Sequence, residues 1–349
     1  MPPPGGRLSH GRGAHLAVRV GIAFTCCLLL LGFTFIIGLF AGRVGSDKGS
    51  GISAGALNDY HVEQFPLQAA AAVAERYTRL CLNAQPANAD QRSAQLQSIV
   101  SSNVPSDCGW DGRGTLSATD IVWTGQADPM SQYGAHGRYM HMQAALGDKG
   151  TAMQLIVPVY VSDLRNGTGV RIAGEPGILA ANASPSGADA VTEKGGSSDT
   201  GLSQMLTADV LPGFFNAWGS SSSADIDRYR TPDGSGNVRH GLSNLLSQPE
   251  VVATNVPLPG SGIGSTHTWQ TGDAATVETT VKWSVPGGAH LTLAYRLTMV
   301  RTSATATGWS VRDIAGGIPD SDVDSTSGNA IPSDLTTTNE TTAPTPTHS

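Results

Sequence analysis

The sequence predicts an α+β protein that follows a single N-terminal transmembrane helix. Three observations support this prediction. Residues 20–42 form a run of 23 residues without a charged side chain. Beyond this run, two segments carry apolar residues at three- and four-residue spacing, as amphipathic helices do. Each segment is followed by stretches in which apolar and polar residues alternate, which is typical of half-buried antiparallel strands.

The uncharged run lies between Arg19 and Arg43 and reads VGIAFTCCLLLLGFTFIIGLFAG. A helix of this length covers roughly 34 Å, enough for a hydrocarbon core of about 30 Å. A cleaved signal peptide is an alternative, but its apolar region usually has about 7–15 residues and ends at small residues. Leu39 and Phe40 are bulky residues at that end. We therefore predict an uncleaved transmembrane helix over 20–42, ahead of a signal peptide or a helix buried in a soluble core.

The charges beside the run predict its orientation. Residues 1–19 contain three arginines and no acidic residue, whereas Asp47 dilutes the positive charge of Arg43 and Lys48 after the run. The positive-inside rule then places residues 1–19 in the cytoplasm. The predicted localisation is a single-pass protein of the cell membrane with extracytoplasmic C-terminal domains.

The composition beyond the run excludes one class of partner. This part of the chain carries roughly 18 basic and 28 acidic residues, and only four of the basic residues are lysines. An acidic surface without a basic stripe repels phosphate backbones, so we expect no direct binding to nucleic acid. Its length of about 300 residues is enough for two ordinary domains.

The first domain is predicted over 61–182, after a Gly/Ser-rich stalk at 43–60. Its first helix follows Pro66, because proline is favoured at helix starts. The apolar face of this helix has the expected helical spacing and consists of Leu67, Ala70, Val73, Ala74, Tyr77, Leu80 and Cys81. A second short helix is predicted across 92–100.

Strands are predicted after Trp110. The clearest strand carries an apolar residue at every second position, namely Leu155, Val157, Val159 and Val161. This alternation predicts a strand with one buried face. The segment 183–200 then lacks apolar periodicity and is predicted to be a linker.

The second domain is predicted over 201–319. Its helical face runs from Leu202 to Trp218, and we expect Pro212 to bend or restart that helix. Alternating strands are predicted at 277–283 and 291–299. Residues 320–349 are rich in Ser, Thr, Pro and acidic residues without Lys or Arg, so a disordered acidic tail is predicted.

The two predicted domains resemble one unit that is used twice. Both contain a helix, a short helix and then several antiparallel strands. The segment VRIAGEP at 170–176 is similar to VRDIAGGIP at 311–319. Chance similarity in a Gly/Ala-rich chain is the alternative, and the shared order of elements argues against it.

The spacing of the cysteines and histidines predicts one candidate disulfide and no metal site. Cys81 and Cys108 are a candidate disulfide, because both lie in the predicted exterior part, although two buried free thiols are the alternative. No CxxC or HxxxH spacing indicates a zinc site. His136 and His141 are five residues apart on a strand-like stretch, which places them on opposite faces and disfavours a joint metal site.

Catalysis is not expected either. The alternating strand positions of the second domain are apolar or hydroxyl-bearing, and we expect no pair of acids on its strands. The glycines of 260–264 lack the following helix that a phosphate-binding loop requires. We therefore predict a protein without enzyme activity, without a cofactor and without a metal ion.

Several segments together carry a resemblance to a known family, namely 69–77, Cys108-Gly109-Trp110-Asp111-Gly112, 155–161 with Gly174-Glu175-Pro176, 211–218, 295–301 and 309–314. These segments and the order of the elements resemble the TcpC-like conjugal transfer proteins of Gram-positive bacteria. These are similar to the inner-membrane scaffold subunit of VirB-type type IV secretion channels. The resemblance covers about residues 15–318, and the chain departs from the family in its acidic tail and its loose linker.

The resemblance implies two cone-shaped domains of the nuclear-transport-factor-like type, each a curved antiparallel sheet wrapped on helices. It also implies a non-catalytic, membrane-anchored structural component of a conjugative DNA-transfer channel. Its expected partners are the membrane, other conjugation-channel proteins and further copies of itself. The alternatives are an Mce-associated or other single-span exterior accessory protein of the same fold, and a cone-fold small-ligand binder or enzyme.

Overall fold

The structure is a computed structural model that describes residues 64–147, 149–184, 197–259 and 267–320. The predicted cytoplasmic N-terminus at 1–19, transmembrane helix at 20–42 and stalk at 43–60 lie outside the described residues. The same holds for most of the predicted linker and for the tail beyond Asp320. Within the described ranges, no helix is long and apolar enough to cross a bilayer.

We call residues 64–184 the first half and residues 197–320 the second half. The first half contains 3₁₀ turns at Pro86–Asn88 and Ser131–Tyr133, and its helices and strands are α1 (Leu67–Leu82), α2 (Ala89–Gln97), β1 (Ala118–Met130), β2 (Gly134–Leu146), β3 (Thr151–Asp163), β4 (Thr168–Ile172), β5 (Gly174–Glu175) and β6 (Gly177–Ala180). Those of the second half are α3 (Thr200–Met205), α4 (Leu211–Ser220), α5 (Ser223–Tyr229), α6 (Gly236–His240), β7 (Ser247–Asn255), β8 (Ala274–Ser284), β9 (His290–Arg301), β10 (Trp309–Gly316) and β11 (Ile318–Pro319).

Each half contains an antiparallel sheet that follows its helices. The first sheet has the order β1-β2-β3-β4, and β6 also pairs with β3. The second sheet has the order β10-β9-β8-β7. A two-stranded sheet of β5 and β11 joins the halves. These elements confirm the α+β class with antiparallel sheets, while the domain boundaries at 61–182, 183–200 and 201–319 stay predictions.

Helix α1 packs across the first sheet and contacts β1, β2, β3 and β4. Its Ala70, Ala74 and Tyr77 are completely buried, as are Met140 and Met142 on β2. The helix has the bounds that the apolar spacing after Pro66 predicts, because that spacing puts its small and aromatic residues on one face.

Strand β3 is buried on both faces from Met153 to Val159. The sequence predicted one buried face, and that prediction is wrong because the second half covers the other face. The contact is close: a Cβ atom added to Gly316 would lie 2.9 Å from Cγ1 of Ile156, and one added to Gly317 would lie 3.2 Å from Cγ of Pro158.

Pro158 marks the point at which β3 changes its neighbour. Strand β4 pairs with β3 from Val159 onward, whereas β6 pairs with it up to Ile156. A proline fits between these ladders because no N–H is needed there. Its carbonyl oxygen accepts a hydrogen bond from Ala173 N over 2.9 Å. The chain then leaves the first sheet, so that β5 is free to pair with β11.

The second half has an aromatic core. Phe215 and Trp218 on α4 pack against Trp283 on β8 and Tyr295 on β9. Phe214 packs against the other two rings of α4, and all five side chains are completely or almost completely buried. The ring centroids of Phe215 and Tyr295 are 5.4 Å apart, and those of Trp218 and Tyr295 are 5.7 Å apart. Large aromatic surfaces in this arrangement supply much of the burial that holds α4 on the sheet.

Two elements of the second half differ from their sequence predictions. The helix predicted from Leu202 to Trp218 is present, but a π-helical turn at Leu206–Val210 separates α3 from α4. The turn lies directly before Pro212, whose ring nitrogen cannot donate to the helix ladder. Strand β7 was not predicted, because this edge strand has two irregularities in its pairing with β8 and lacks a clean alternation.

Replacement of Phe215 by alanine should destabilise the protein by about 3–5 kcal/mol, because it leaves a cavity in the aromatic core. Chemical denaturation followed by tryptophan fluorescence measures this loss. The control is Val252→Ala on β7, whose side chain is 54% exposed and which should change stability by less than about 0.5 kcal/mol. Equal effects of the two substitutions would contradict the assignment of the core.

Candidate functional site

The segment Cys108-Gly109-Trp110 connects the two halves. Cys108 forms a disulfide with Cys81 of α1. The carbonyl oxygen of Gly109 accepts a hydrogen bond from Thr292 N over 2.8 Å, and Trp110 forms a β-bridge with Leu291. Strand β10 pairs with β9 only from Tyr295 onward. The segment therefore completes a part of the β9 edge that β10 leaves open.

Gly109 is required at this contact for two reasons. Its φ is +74°, in the left-handed region that favours glycine. A Cβ atom at this position would also lie 2.1 Å from the carbonyl oxygen of Thr292. The main chain of the first half thus approaches β9 as closely as a neighbouring strand does.

Arg92 on α2 holds the same segment from the other side. Its side chain is buried, its Nε donates to Leu80 O over 2.5 Å, and one terminal nitrogen donates to Asp107 O over 2.7 Å. The guanidinium also lies over the ring of Trp110, 5.2 Å from its centroid. These contacts make Arg92 a structural residue that fixes residues 107–110.

A second set of main-chain bonds joins the halves at β5 and β11. Ala294 N donates to Pro176 O over 2.9 Å, and Asp320 N donates to Ala173 O over 2.7 Å. Arg296 donates from Nε to Gly317 O over 2.8 Å, and its guanidinium lies 3.7 Å from the ring centroid of Tyr139. The two halves are therefore bonded along two lines rather than joined by the linker alone.

Two adjoining cavities lie between these lines. The inner cavity has a volume of about 220 Å³, and the outer groove has a volume of about 320 Å³. They meet at Val104 and Glu175, which line both. The inner cavity is lined by Tyr77, Val104, Pro105, Asp107, Cys108, Gly109, Glu175, Pro176 and Thr292. The outer groove is lined by Asn103, Val104, Gly174, Glu175, Ala253, Thr254, Asn255, Glu278, Thr279, Thr280, Ile318, Pro319 and Asp320.

The ionisable side chains of the inner cavity are acidic or phenolic, and Thr292 adds a hydroxyl-bearing side chain. Burial raises the pKa of Glu175, and the negative charge of Asp107 raises it further. Tyr77 is completely buried, its hydroxyl has no hydrogen-bond partner among the described residues, and burial together with the charge of Glu175 raises its pKa. Gly109 N donates to Asp107 Oδ1 over 2.8 Å. The cavity therefore presents oxygen atoms in a partly dry environment.

The outer groove contains an acid that the sequence analysis missed. Glu278 lies on β8, is only 6% exposed and accepts a hydrogen bond from Asn255 Nδ2 over 3.2 Å. It is the cross-strand partner of Arg296 on β9. The expectation that strand positions of this half are apolar or hydroxyl-bearing is thus wrong for this face of the sheet. A signal was available, because Glu278 and Arg296 are opposite charges within otherwise apolar strands.

The histidines that the sequence analysis considered do not form a joint site. His141 is buried, with Nε2 lying 2.9 Å from Asp128 Oδ2 and Nδ1 lying 3.2 Å from Gln154 Oε1. His136 instead contacts the carbonyl oxygen of Val161 over 2.6 Å. Burial raises the pKa of Asp128, but the hydrogen bond and charge of His141 outweigh it, so the pKa is lowered. This network links β1, β2 and β3.

His290 and His267 each pair with one aspartate. His290 Nδ1 lies 2.9 Å from Asp111 Oδ2, and His267 Nε2 lies 3.6 Å from Asp273 Oδ2. The His290 pair adds a side-chain link to the main-chain bonds between the halves. In the part of the chain that the structure describes, no cluster of three or more His, Cys, Asp or Glu side chains fits a metal ion.

Replacement of Gly109 by alanine should destabilise the protein by about 1–3 kcal/mol, because the added Cβ clashes with Thr292 O and the backbone is strained. Gly112→Ala is the matched control. Gly112 has a similar φ of +78°, but a Cβ atom there meets nothing within 4 Å. Denaturant titrations should show the larger loss for Gly109→Ala, and an equal loss would argue against a close approach to β9.

Replacement of Glu175 by glutamine should stabilise the protein at pH 7. Since folding raises the pKa of Glu175, its favourable contribution is complete below the unfolded pKa of about 4.3 and is lost as pH rises through the folded value. The gain in melting temperature should therefore shrink as the pH falls to about 4. Glu250→Gln on exposed β7 is the charge-matched control. A Glu175→Gln protein that is less stable at pH 7 would contradict this account.

The comparison with known proteins identifies the family. A family model described as conjugative transposon protein TcpC matches residues 73–311, which include α1 from Val73 and the larger part of both sheets. No curated protein and no solved structure matches the chain significantly. The match covers more than half of the chain and both halves of the described unit. The chain therefore belongs to the TcpC family and is a component of conjugative transfer.

Proposed function

We propose that this protein is a non-catalytic, membrane-anchored assembly component of a conjugative DNA-transfer channel of the type IV secretion class. The observation that carries this proposal is the match to the TcpC family over residues 73–311, which include the larger part of both sheets. A component of conjugative transfer works among other transfer proteins, so its proposed partners are those proteins and further copies of itself.

The sequence before the described residues supports the proposed anchor. Residues 20–42 are uncharged and long enough to span a bilayer. With residues 1–19 in the cytoplasm, the described residues face the extracytoplasmic side. The disulfide between Cys81 and Cys108 supports this placement, because such bonds persist in oxidising compartments.

The bonding between the halves supports an assembly role. Scaffolds need surfaces that keep a fixed spacing, and here Thr292 N and Ala294 N of β9 donate main-chain hydrogen bonds to Gly109 O and Pro176 O of the first half. We also propose that each half is a nuclear-transport-factor-like cone, since in each a helix packs on an antiparallel sheet with strands in sequential order. In the second half, aromatic side chains fill the space in which enzymes of that shape place their substrates.

Deletion of the gene should abolish transfer of the mobile element. Nicking at its transfer origin should continue, because a channel component acts after DNA processing. Mating assays measure transfer, and primer extension measures nicking. Restoration by the full chain is the control. Normal transfer by the deletion strain, or loss of nicking together with transfer, would contradict the proposal.

The anchor is tested separately by complementation. A chain whose residues 20–42 are replaced by a cleavable signal peptide should be exported but should fail to restore transfer, because the exterior part is no longer held at the bilayer. Fractionation should show the full chain in the membrane and the variant in the soluble exterior fraction. Full restoration by the variant would contradict the anchored role and leave the assembly role standing.

A further inference from the structure

The inner cavity between the two halves is lined by acidic side chains and, among the described residues, by no basic side chain. Its polar side chains include Tyr77, Asp107 and Glu175, all of them oxygen-bearing. Arg92 is a neighbouring cation, but its bonds from Nε and one terminal nitrogen go to main-chain carbonyl groups, and its face lies on Trp110. The cavity thus concentrates acceptor oxygens without a basic side chain in its lining.

The hydroxyl of Tyr77 is a second, independent observation that points to a ligand. The side chain is 0% exposed, lines the cavity and has no hydrogen-bond partner for its hydroxyl among the described residues. A buried hydroxyl without a partner costs free energy that a phenylalanine would not. Its presence is explained if a donor enters the cavity.

The pairing of β5 with β11 does not require an acidic side chain at position 175. In the two-stranded sheet, Glu175 of β5 is paired with Ile318 of β11. These residues also hold matching positions in the similar segments 170–176 and 311–319. Because isoleucine occupies the corresponding place in the second half, the backbone does not need an acid there. Burial and the charge of Asp107 both disfavour the carboxylate, and a bound cation would offset both effects.

We propose that the inner cavity binds the cationic head group of an arginine or lysine side chain that a partner protein of the transfer channel inserts between Tyr77, Asp107 and Glu175. The adjoining outer groove, with Thr254 and Asn255 of edge strand β7 on its wall, offers space and polar groups for the main chain of that partner. The ligand is a protein segment rather than a free cation because the two cavities meet at Glu175 and accept a chain longer than one side chain. This inference rests on the proposed assembly function, and it specifies the cavity at which the partner protein is bound.

Peptide binding tests the chemistry of the cavity directly. The full chain in detergent is titrated by calorimetry with a terminally blocked pentapeptide that carries a central arginine, and with the same peptide carrying neutral citrulline. The arginine peptide should bind at least about tenfold more tightly, because the cation is lost in citrulline. No binding, or equal affinities, would overturn the proposal. Argininamide and spermidine are further probes, and tighter binding of either than of the peptide would overturn the assignment to a protein segment.

Two substitutions separate recognition from folding. Glu175→Gln and Tyr77→Phe keep the shape of their side chains, and each should reduce the preference for arginine by about tenfold without loss of melting temperature. Glu250→Gln on exposed β7 is the charge-matched control and should keep the full preference. A preference that survives in both cavity variants would overturn the proposal, since a structural role alone would leave binding unchanged.

Transfer assays distinguish this inference from the proposed function. In the deletion strain, the Glu175→Gln chain should restore transfer at least about tenfold less well than the wild-type chain, at equal protein level. Wild-type transfer by this variant, where the deletion itself abolishes transfer, would overturn the inference and leave the assembly function intact. Normal transfer by the deletion strain would overturn the assembly function, and with it the inferred partner.

Discussion

The structure depends on the completion of the β9 edge by the first half. Strand β10 pairs with β9 only from Tyr295 onward, so the residues of β9 before that point need other partners for their main-chain groups. Gly109 and Pro176 of the first half supply carbonyl acceptors to Thr292 N and Ala294 N. The second sheet is therefore satisfied only when the first half is in place, which makes the two halves one folding unit in the described residues.

This constraint also creates the groove. Between β4 and β6, opposite Pro158 of β3, the chain leaves the first sheet. Strand β5 lies in this segment and pairs with β11 of the second half. The disulfide fixes the opposite side, because Cys108 precedes the glycine that reaches β9 and Cys81 lies on α1. Two lines of bonds hold the halves together, and the space between the lines remains as the inner cavity and outer groove.

The sequence predicted those elements whose side chains follow a helical or an alternating period. The spacing after Pro66 predicts α1, and the alternation from Leu291 to Met299 predicts β9, because each pattern reports one buried face. The junction has no such pattern. It is made by main-chain atoms of Gly109 and Pro176, whose partners Thr292 and Ala294 are distant in sequence. The burial of both faces of β3 was missed for the same reason. A charged residue within an apolar strand, such as Glu278, was the sequence signal that could have indicated the groove. The sequence of β7 carries no such signal.

The acidic cavity adjoins the interior of the first half. In the second half, Phe215, Trp218 and Tyr295 fill the space between helix and sheet, and in the first half Tyr77 of α1 is completely buried. Tyr77 also lines the inner cavity, so the interior of the first half reaches the junction. Tyr77, Asp107 and Glu175 belong to the first half, and Thr292 of the second half completes the lining. The second half thus closes a cavity whose acidic groups come from the first, which places the proposed partner contact at the junction that holds the two halves together.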